Sequence, residues 1–534
     1  MTSTEKALDR TRLTMRNATV SMLFFILSFF CQFPMRSLFI RYLGDDILGL
    51  NGTITGIIGF LNIAELGIAT AIGFALYVPI VRGDRQQISE IISLQAWFYR
   101  IIAALIVGAS ALVLLFFPKI LGGVMQANHI PWWYAYATFG VLLLNNLWGY
   151  LFNYRQVLLQ SAMRGYKVVL VVRGVTVMQT LLQLVAIYYF REQPHRAYGA
   201  WLLLLALSGI VQTLLLEWLI HRNYPWLKCR VRGAKRFIAK YPLVLKKTSE
   251  IFFHKICQFI ITSVTPLIIL YVFQSDQALF KVTLYQNYFL VFTALNTFLS
   301  TLFDSLTSTV GNMIADKVPG ERIELLFRGF VAVKLWLSMC LCFGLYFFSA
   351  PFMDLWVGEG RIFSTMECLF FVFYCFTQFS RLYDVFLYSY GLFQDIWAPI
   401  VEGIIALLGA LLLAPHMGME GIFIAFLASQ LLIVHLWKPY FLYTKGFGTA
   451  LAKYYRAIFP QLLLMTALAV GYSFLQEALP PLNTWFKLLT YGVAVSILYA
   501  MACMLLSYLL LPSFRKAIAL LKEKVKPLIS KVHS

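Results

Sequence analysis

From Leu48 to Ile80 the chain carries no Lys, Arg or Asp and a single carboxylate, Glu65. At about 1.5 Å per residue this run predicts one apolar helix roughly 50 Å long. A bilayer's hydrocarbon core is only about 30 Å thick, so such a helix should tilt or project past one face. Just before it stand Arg36, Arg41 and a short acidic hairpin at Gly44, Asp45 and Asp46. At 100° per residue, Gly49, Gly52, Gly56 and Gly59 fall on one side. Small residues in that pattern let another helix approach closely within a membrane. Asn51, Thr55, Asn62 and Glu65 fall on the opposite side. That polar stripe must meet a partner helix or line a water-filled cavity, because facing lipid is costly.

The rest of the chain is equally apolar. Of 534 residues, 60% are hydrophobic and 13% charged, against about 25% charged in soluble domains. This predicts an all-α polytopic membrane protein with about fourteen spans. A net charge of +20 would suit nucleic acid, but its distribution argues for topology instead. With both termini cytoplasmic, the inner segments, counting span-end residues such as Lys438, hold 31 of the 44 Lys and Arg, and the outer loops hold 7. That asymmetry follows the positive-inside rule. The eight cysteines form no CxxC pair and suggest neither a disulfide framework nor a zinc site. The first apolar run lacks a small-residue cleavage site and reads as an anchor.

The sequence divides into a basic lead-in (1–17), six spans (18–221), a basic linker (222–248), six more spans (249–445), two further spans (446–511) and a basic amphipathic tail (512–534). The two six-span blocks look related. The second also has a long apolar helix, over 280–315, with a central acid, Asp304, and then a glycine at Gly311. Parallel six-helix repeats with a substrate site near the midplane are a known transporter plan. The last two spans carry almost no charge and should face lipid, a partner or a hydrophobic ligand.

Catalytic motifs are absent: there is no P-loop, HExxH or supported GxSxG. This argues against an enzyme and predicts no cofactor and no metal. What remains is intramembrane charge. Arg36, Arg173, Lys255, Lys334 and Arg381 outnumber Glu217, Asp304 and Asp384 within their spans. An excess of buried cations suits an anionic cargo, and the arginine fork suits phosphate. Arg381 and Asp384, three residues apart in a span at 363–391, can pair on one helix face. Arg155 and Arg164 flank a short amphipathic link after the fourth span and read as inner anchors. Trp148, Tyr150 and Tyr154 could stack on sugar rings or simply pack.

FIRYLGDDILGLNGTITGIIGFLNIAELGIATAI, YRQVLLQSAMRGYK, LYQNYFLVFTALNTFLSTLFDSLTSTVGNMIA, MDLWVGEG and GLFQDIWAPIVEGIIALLGALLLAPHMGMEGIF together resemble landmarks of bacterial polysaccharide biosynthesis proteins. These are the O-antigen and capsule-repeat flippases of the multidrug/oligosaccharidyl-lipid/polysaccharide exporter superfamily. The resemblance implies two six-helix lobes in a V with two extra helices. It also implies transport of an undecaprenyl-diphosphate-linked oligosaccharide across the bacterial cytoplasmic membrane, with membrane lipid and other glycan-assembly proteins as partners and no nucleic acid. On this reading Arg36, Arg41, Arg155, Lys255 and Arg381 form a cationic cavity, and Glu65 and Asp304 are candidates for coupling to H⁺ or Na⁺. The Arg381–Asp384 pair is structural, and Asn51, Thr55 and Asn62 line the cavity. The span at Glu402–Leu413 is almost wholly apolar, where relatives often carry Asn or Ser. Rival readings are a drug/cation antiporter, a peptidoglycan-precursor flippase, or a membrane-embedded glycan polymerase or ligase.

Overall fold

The computed structural model describes residues 3–519 except 274–276, 305, 393, 477–479, 513 and 516–517. Nearly all of it is helical. Among the described residues, nine helices are long and apolar enough to cross a membrane. Their outer surfaces fit that solvent: Leu115, Leu412, Leu463 and Phe474 are 76%, 71%, 74% and 80% exposed. The chain is a multi-pass membrane protein. By contacts it divides into two compact units, Met1–Tyr285 and Gln286–Ser534.

In the first unit, α1 (Ser3–Leu43) packs chiefly on α7 (Gly165–Tyr189), and α7 on α8 (Pro194–Asn223). The expected single helix over Leu48–Ile80 is two helices, α2 (Asp45–Leu61) and α3 (Ile68–Arg82). Between them Asn62–Glu65 forms a 3₁₀ turn, Leu66 is extended (ψ 116°), and Gly67 is left-handed (φ 95°). Only glycine takes that conformation at little cost. A Cβ at Gly67 would also stand 2.8 Å from the Thr248 carbonyl oxygen. The break replaces one overlong helix by two short ones, so no tilt or projection is required of the run as a whole.

The glycine side of α2 is covered by α10 (Pro242–Phe273) and the start of α11 (Gln277–Asp304). A Cβ on Gly49 would lie 2.1 Å from Leu279 O, and one on Gly56 would lie 2.7 Å from Ser263 O. The close approach expected from the small-residue face is therefore present. α10 thus belongs by its contacts to the first unit, and the division falls inside α11 rather than at the basic linker. The remaining elements of this unit are α4 (Arg85–Ala127), α5 (Trp132–Leu151), α6 (Gln156–Ser161) and α9 (Phe237–Lys240). The basic linker is folded rather than loose. Trp226, Leu227, Cys229 and Val231 pack against the core of α3 and α4, and Arg230 N donates to Ser93 Oγ at 3.0 Å.

The second unit contains α12 (Leu306–Ala315), α13 (Gly320–Val357), α14 (Thr365–Phe379), α15 (Tyr383–Ser389), α16 (Trp397–Met417) and α17 (Met419–Ser429). The expected span at 363–391 is broken at Ser380–Leu382, between α14 and α15. After α17 the helix widens to π-type turns over Gln430–Trp437 and again over Leu442–Phe447, with α18 (Lys438–Phe441) between them. Such widening recurs at functional sites. α19 (Ala452–Leu475), α20 (Trp485–Lys487) and α21 (Val493–Leu510) complete the unit. α19 and α21 pack on α13, where Phe343 stacks on Tyr499 at 4.0 Å.

Candidate functional site

Each unit holds a buried polar centre beside a helix break. In the first unit, Glu65 ends the 3₁₀ turn after α2. It is half-buried and accepts hydrogen bonds from Tyr99 Oη (2.8 Å) and Tyr150 Oη (3.0 Å), which come from α4 and α5. Tyr150 also lies 3.0 Å from Asn62 Oδ1. The carboxyl is thus held by neutral donors. Tyr150 and Tyr154 are buried in the protein, 4% and 6% exposed, so neither offers a free ring face to a sugar.

Further along α2, Asn51 Oδ1 accepts from Tyr198 Oη of α8 at 2.6 Å. Tyr198 bonds Thr138 and stacks on Tyr134 at 4.3 Å, and Tyr134 Oη lies 2.8 Å from His195 Nδ1. Thr55 is exposed and donates to Asn51 O at 2.7 Å. Asn51, Asn62 and Glu65 therefore meet α4, α5 and α8, opposite α10, while Thr55 of the same stripe stays exposed. Sequence periodicity locates the stripe. The tyrosines that answer it look like ordinary membrane aromatics in the sequence.

Among the expected cationic residues, Arg36 is half-buried in α1 and Arg41 is exposed, with its guanidinium 5.7 Å from the Tyr42 ring centroid. Arg155 forms an ion pair with Glu217 at 2.7 Å. The side chains of Lys255 and Asp304 lie outside the described residues. Near Arg155, burial pushes the Cys229 thiol up from its ordinary value, so it is a poor nucleophile at neutral pH.

The second unit's centre is denser. Arg381 lies in the break between α14 and α15 and pairs with Asp384 in the first turn of α15. The two do pair, but across the break rather than along one continuous helix. Lys438 Nζ reaches the other Asp384 oxygen at 2.5 Å. Lys438 is 5% exposed; it is a buried counter-ion, not an inner anchor. Lys334 of α13 donates to the Arg381 carbonyl oxygen, filling an acceptor that the break leaves open. Glu402 lies 4.0 Å from Arg381 Nη1 and accepts from Gln430 Nε2 at 2.6 Å. The eleventh span, read as almost wholly apolar, thus contributes a buried carboxylate at its start. His435 Nε2 faces Thr377 O at 3.1 Å and must carry the proton there.

Glu402, Gln430, His435 and Lys438 were not singled out by sequence reasoning. Their signal is a lone polar residue in an apolar run, and its meaning depends on which helix packs opposite.

A lipid II flippase, MurJ, in an inward closed conformation, aligns with a TM-score of 0.61 at 15% identity, over 92% of this chain and 98% of that one. A multidrug resistance MATE family transporter of the MOP superfamily, in an inward-facing conformation, aligns at 0.52 and 11% identity, over 80% and 98%. The chain has the MurJ and MATE fold. No protein-family model matches the sequence, and no curated protein matches it either. At such identities the likeness is one of fold. The polar centres of this chain therefore stand on their own geometry.

Proposed function

We propose that the chain is a flippase that moves an undecaprenyl-diphosphate-linked oligosaccharide repeat unit from the inner to the outer leaflet of a bacterial cytoplasmic membrane. It works by alternating access and serves O-antigen, capsule or exopolysaccharide assembly. The observation that carries this reading is a fold shared, over nearly the full length of both chains, with a lipid II flippase. The sequence landmarks of polysaccharide flippases support it. So does an apolar cavity of about 600 Å³ in the second unit, lined by Phe343, Phe373, Leu431, Leu462 and Tyr499, which suits a polyprenyl chain.

Arg36 is assigned to the cargo's diphosphate, with Arg41 and Lys255 as secondary contacts. Arg155 and Arg381, each tied to an acid of its own unit, are assigned chiefly to structure. Glu65 and Asp304 are the assigned sites for H⁺ or Na⁺ coupling. Arg36→Ala should abolish surface glycan while the protein stays in the membrane, and Arg36→Lys should restore it only in part, because lysine lacks the planar fork. Normal glycan export by Arg36→Ala would remove Arg36 from the site.

The same fold likeness favours one second reading, a peptidoglycan-precursor flippase. Rescue of cells depleted of their own lipid II flippase, with surface glycan unchanged by deletion, would establish that reading over the first.

A further inference from the structure

Four cations gather where α1, α7 and α8 meet in the first unit, and two of them share one neutral acceptor. Lys167 Nζ donates to Asn223 Oδ1 at 2.6 Å, and Arg164 Nη1 donates to the same oxygen at 3.3 Å. Arg222 lies beside Asn223, with its guanidinium 5.2 Å from the Trp218 ring centroid. Arg16, from α1, lies 4.2 Å from the Tyr166 ring centroid. The charges of Arg164, Arg222 and Arg16 all bear on the Lys167 ammonium.

The arrangement is held in place. Asn17 Nδ2 donates to Met163 O at 3.0 Å, and Asn17 Oδ1 accepts from Tyr166 N at 2.7 Å. These bonds tie α1 to the turn that presents Arg164 and Lys167. Met163 itself is left-handed at φ 58°, a conformation that a non-glycine residue adopts only against a steric cost.

Among the described residues, no carboxylate pairs with any of the four cations. Glu217, one turn earlier on α8, is held by Arg155 at 2.7 Å. Gathering like charges with one amide oxygen between two of them is repulsive unless an anion completes the set. Arg16, Arg164 and Arg222 are exposed and Lys167 is half-buried, so an anion can reach them. Trp218, 57% exposed, stands in the last turns of α8, and tryptophans near helix ends favour the depth at which lipid phosphate sits.

We propose that Arg16, Arg164, Lys167 and Arg222 form a binding site for a phosphate-bearing anion at the membrane surface, separate from the Glu65 and Arg381 centres. Arginine forks and a lysine point charge are the set that phosphate oxygens require. The anion can come from an anionic phospholipid headgroup or from soluble phosphate. The inference does not depend on which cargo the chain moves.

The test uses the full-length protein purified into neutral phosphatidylcholine nanodiscs. Phosphatidylglycerol is titrated in one arm and inorganic pyrophosphate in another, with thermal stability and bound mass as readouts. Wild type should be stabilised, and added NaCl should weaken the effect. Lys167→Ala and Arg222→Gln should each weaken binding by roughly tenfold or more, as loss of a charge-assisted bond does. Lys235→Gln, an exposed change in the linker, should not. Stabilisation by phosphatidylglycerol alone assigns the site to lipid; equal stabilisation by pyrophosphate assigns it to a soluble anion. If Lys167→Ala fails to fold, Arg222→Gln carries the test, because its side chain is exposed. Equal binding by wild type and Arg222→Gln, or no binding of either probe to wild type, overturns the proposal.

Discussion

Removing Lys438 tests whether the second unit depends on its buried charge network. Lys438 Nζ is 2.5 Å from Asp384 Oδ1, and the two side chains are 6% and 21% exposed. At an effective dielectric of 20, the gross attraction at that distance is about 7 kcal/mol. Burying both ions offsets much of it, and breaking a buried pair from one side typically costs about 3–5 kcal/mol. Here Arg381 still holds the other Asp384 oxygen. The expected loss for Lys438→Met is therefore about 2–3 kcal/mol, below the full penalty for an orphaned carboxylate. Reversible unfolding in mixed micelles measures it. Asp384→Asn alone should leave both Arg381 and Lys438 without their counter-ion, whereas in the double variant with Lys438→Met only Arg381 loses its partner, so the combined loss should be smaller than the sum of the two single losses. Wild-type stability in Lys438→Met, or strict additivity in the double variant, would refute a coupled network.

Three shorter predictions follow from the first unit. Gly49→Ala should cost at least about 1–3 kcal/mol and reduce folded yield, since its Cβ would strike the Leu279 carbonyl oxygen, a backbone atom that cannot rotate away. Tyr99→Phe and Tyr150→Phe each remove one donor from Glu65 and should each destabilise by about 1–3 kcal/mol in the same unfolding assay. A cysteine at Lys235, in the linker, should react with a membrane-impermeant maleimide in inverted vesicles and not in intact cells. Labelling from outside would invert the assumed topology.

The membrane character was legible in composition, and the glycine face of α2 with Asn51, Asn62 and Glu65 opposite it in local spacing; Arg381 and Asp384 do pair, but across a break that spacing did not show. The helix breaks were not legible. Gly67 sits in an apolar run where a glycine is compatible with helix, and the close packing of α10 against it is invisible in local sequence. The break at Arg381 is equally silent, since no proline or glycine marks Ser380–Leu382. Lys438 was not singled out for a related reason. A lysine near the end of an apolar run has the local signature of an anchor, and only the packing of α15 against the widened helix after α17 makes it a buried partner. The tyrosines on Glu65 hid among many membrane aromatics, because a hydroxyl's hydrogen bond leaves no trace in hydropathy.

The two centres differ in how they would tolerate a change of charge, and this bears on which acid could drive a transport cycle. Asp384 is held by two cations, Arg381 and Lys438. Neutralising it would leave both without their shared counter-ion in a buried setting, at a cost of several kcal/mol. Glu65 is held by two hydroxyls, Tyr99 and Tyr150. A hydroxyl donates to a carboxylate and accepts from a carboxylic acid equally readily, so Glu65 can gain a proton while keeping both partners. Glu65→Gln should accordingly stay folded within about 1 kcal/mol of wild type, since glutamine also offers one acceptor and a donor. Asp384→Asn should lose more than that. Transport into vesicles, normalised to folded protein and measured with and without a pH or Na⁺ gradient, then reads the role directly. If Glu65 is the coupling acid, Glu65→Gln binds cargo but no longer responds to the gradient. Full gradient dependence in a well-folded Glu65→Gln variant would remove Glu65 from coupling and leave it as a packing partner of α4 and α5.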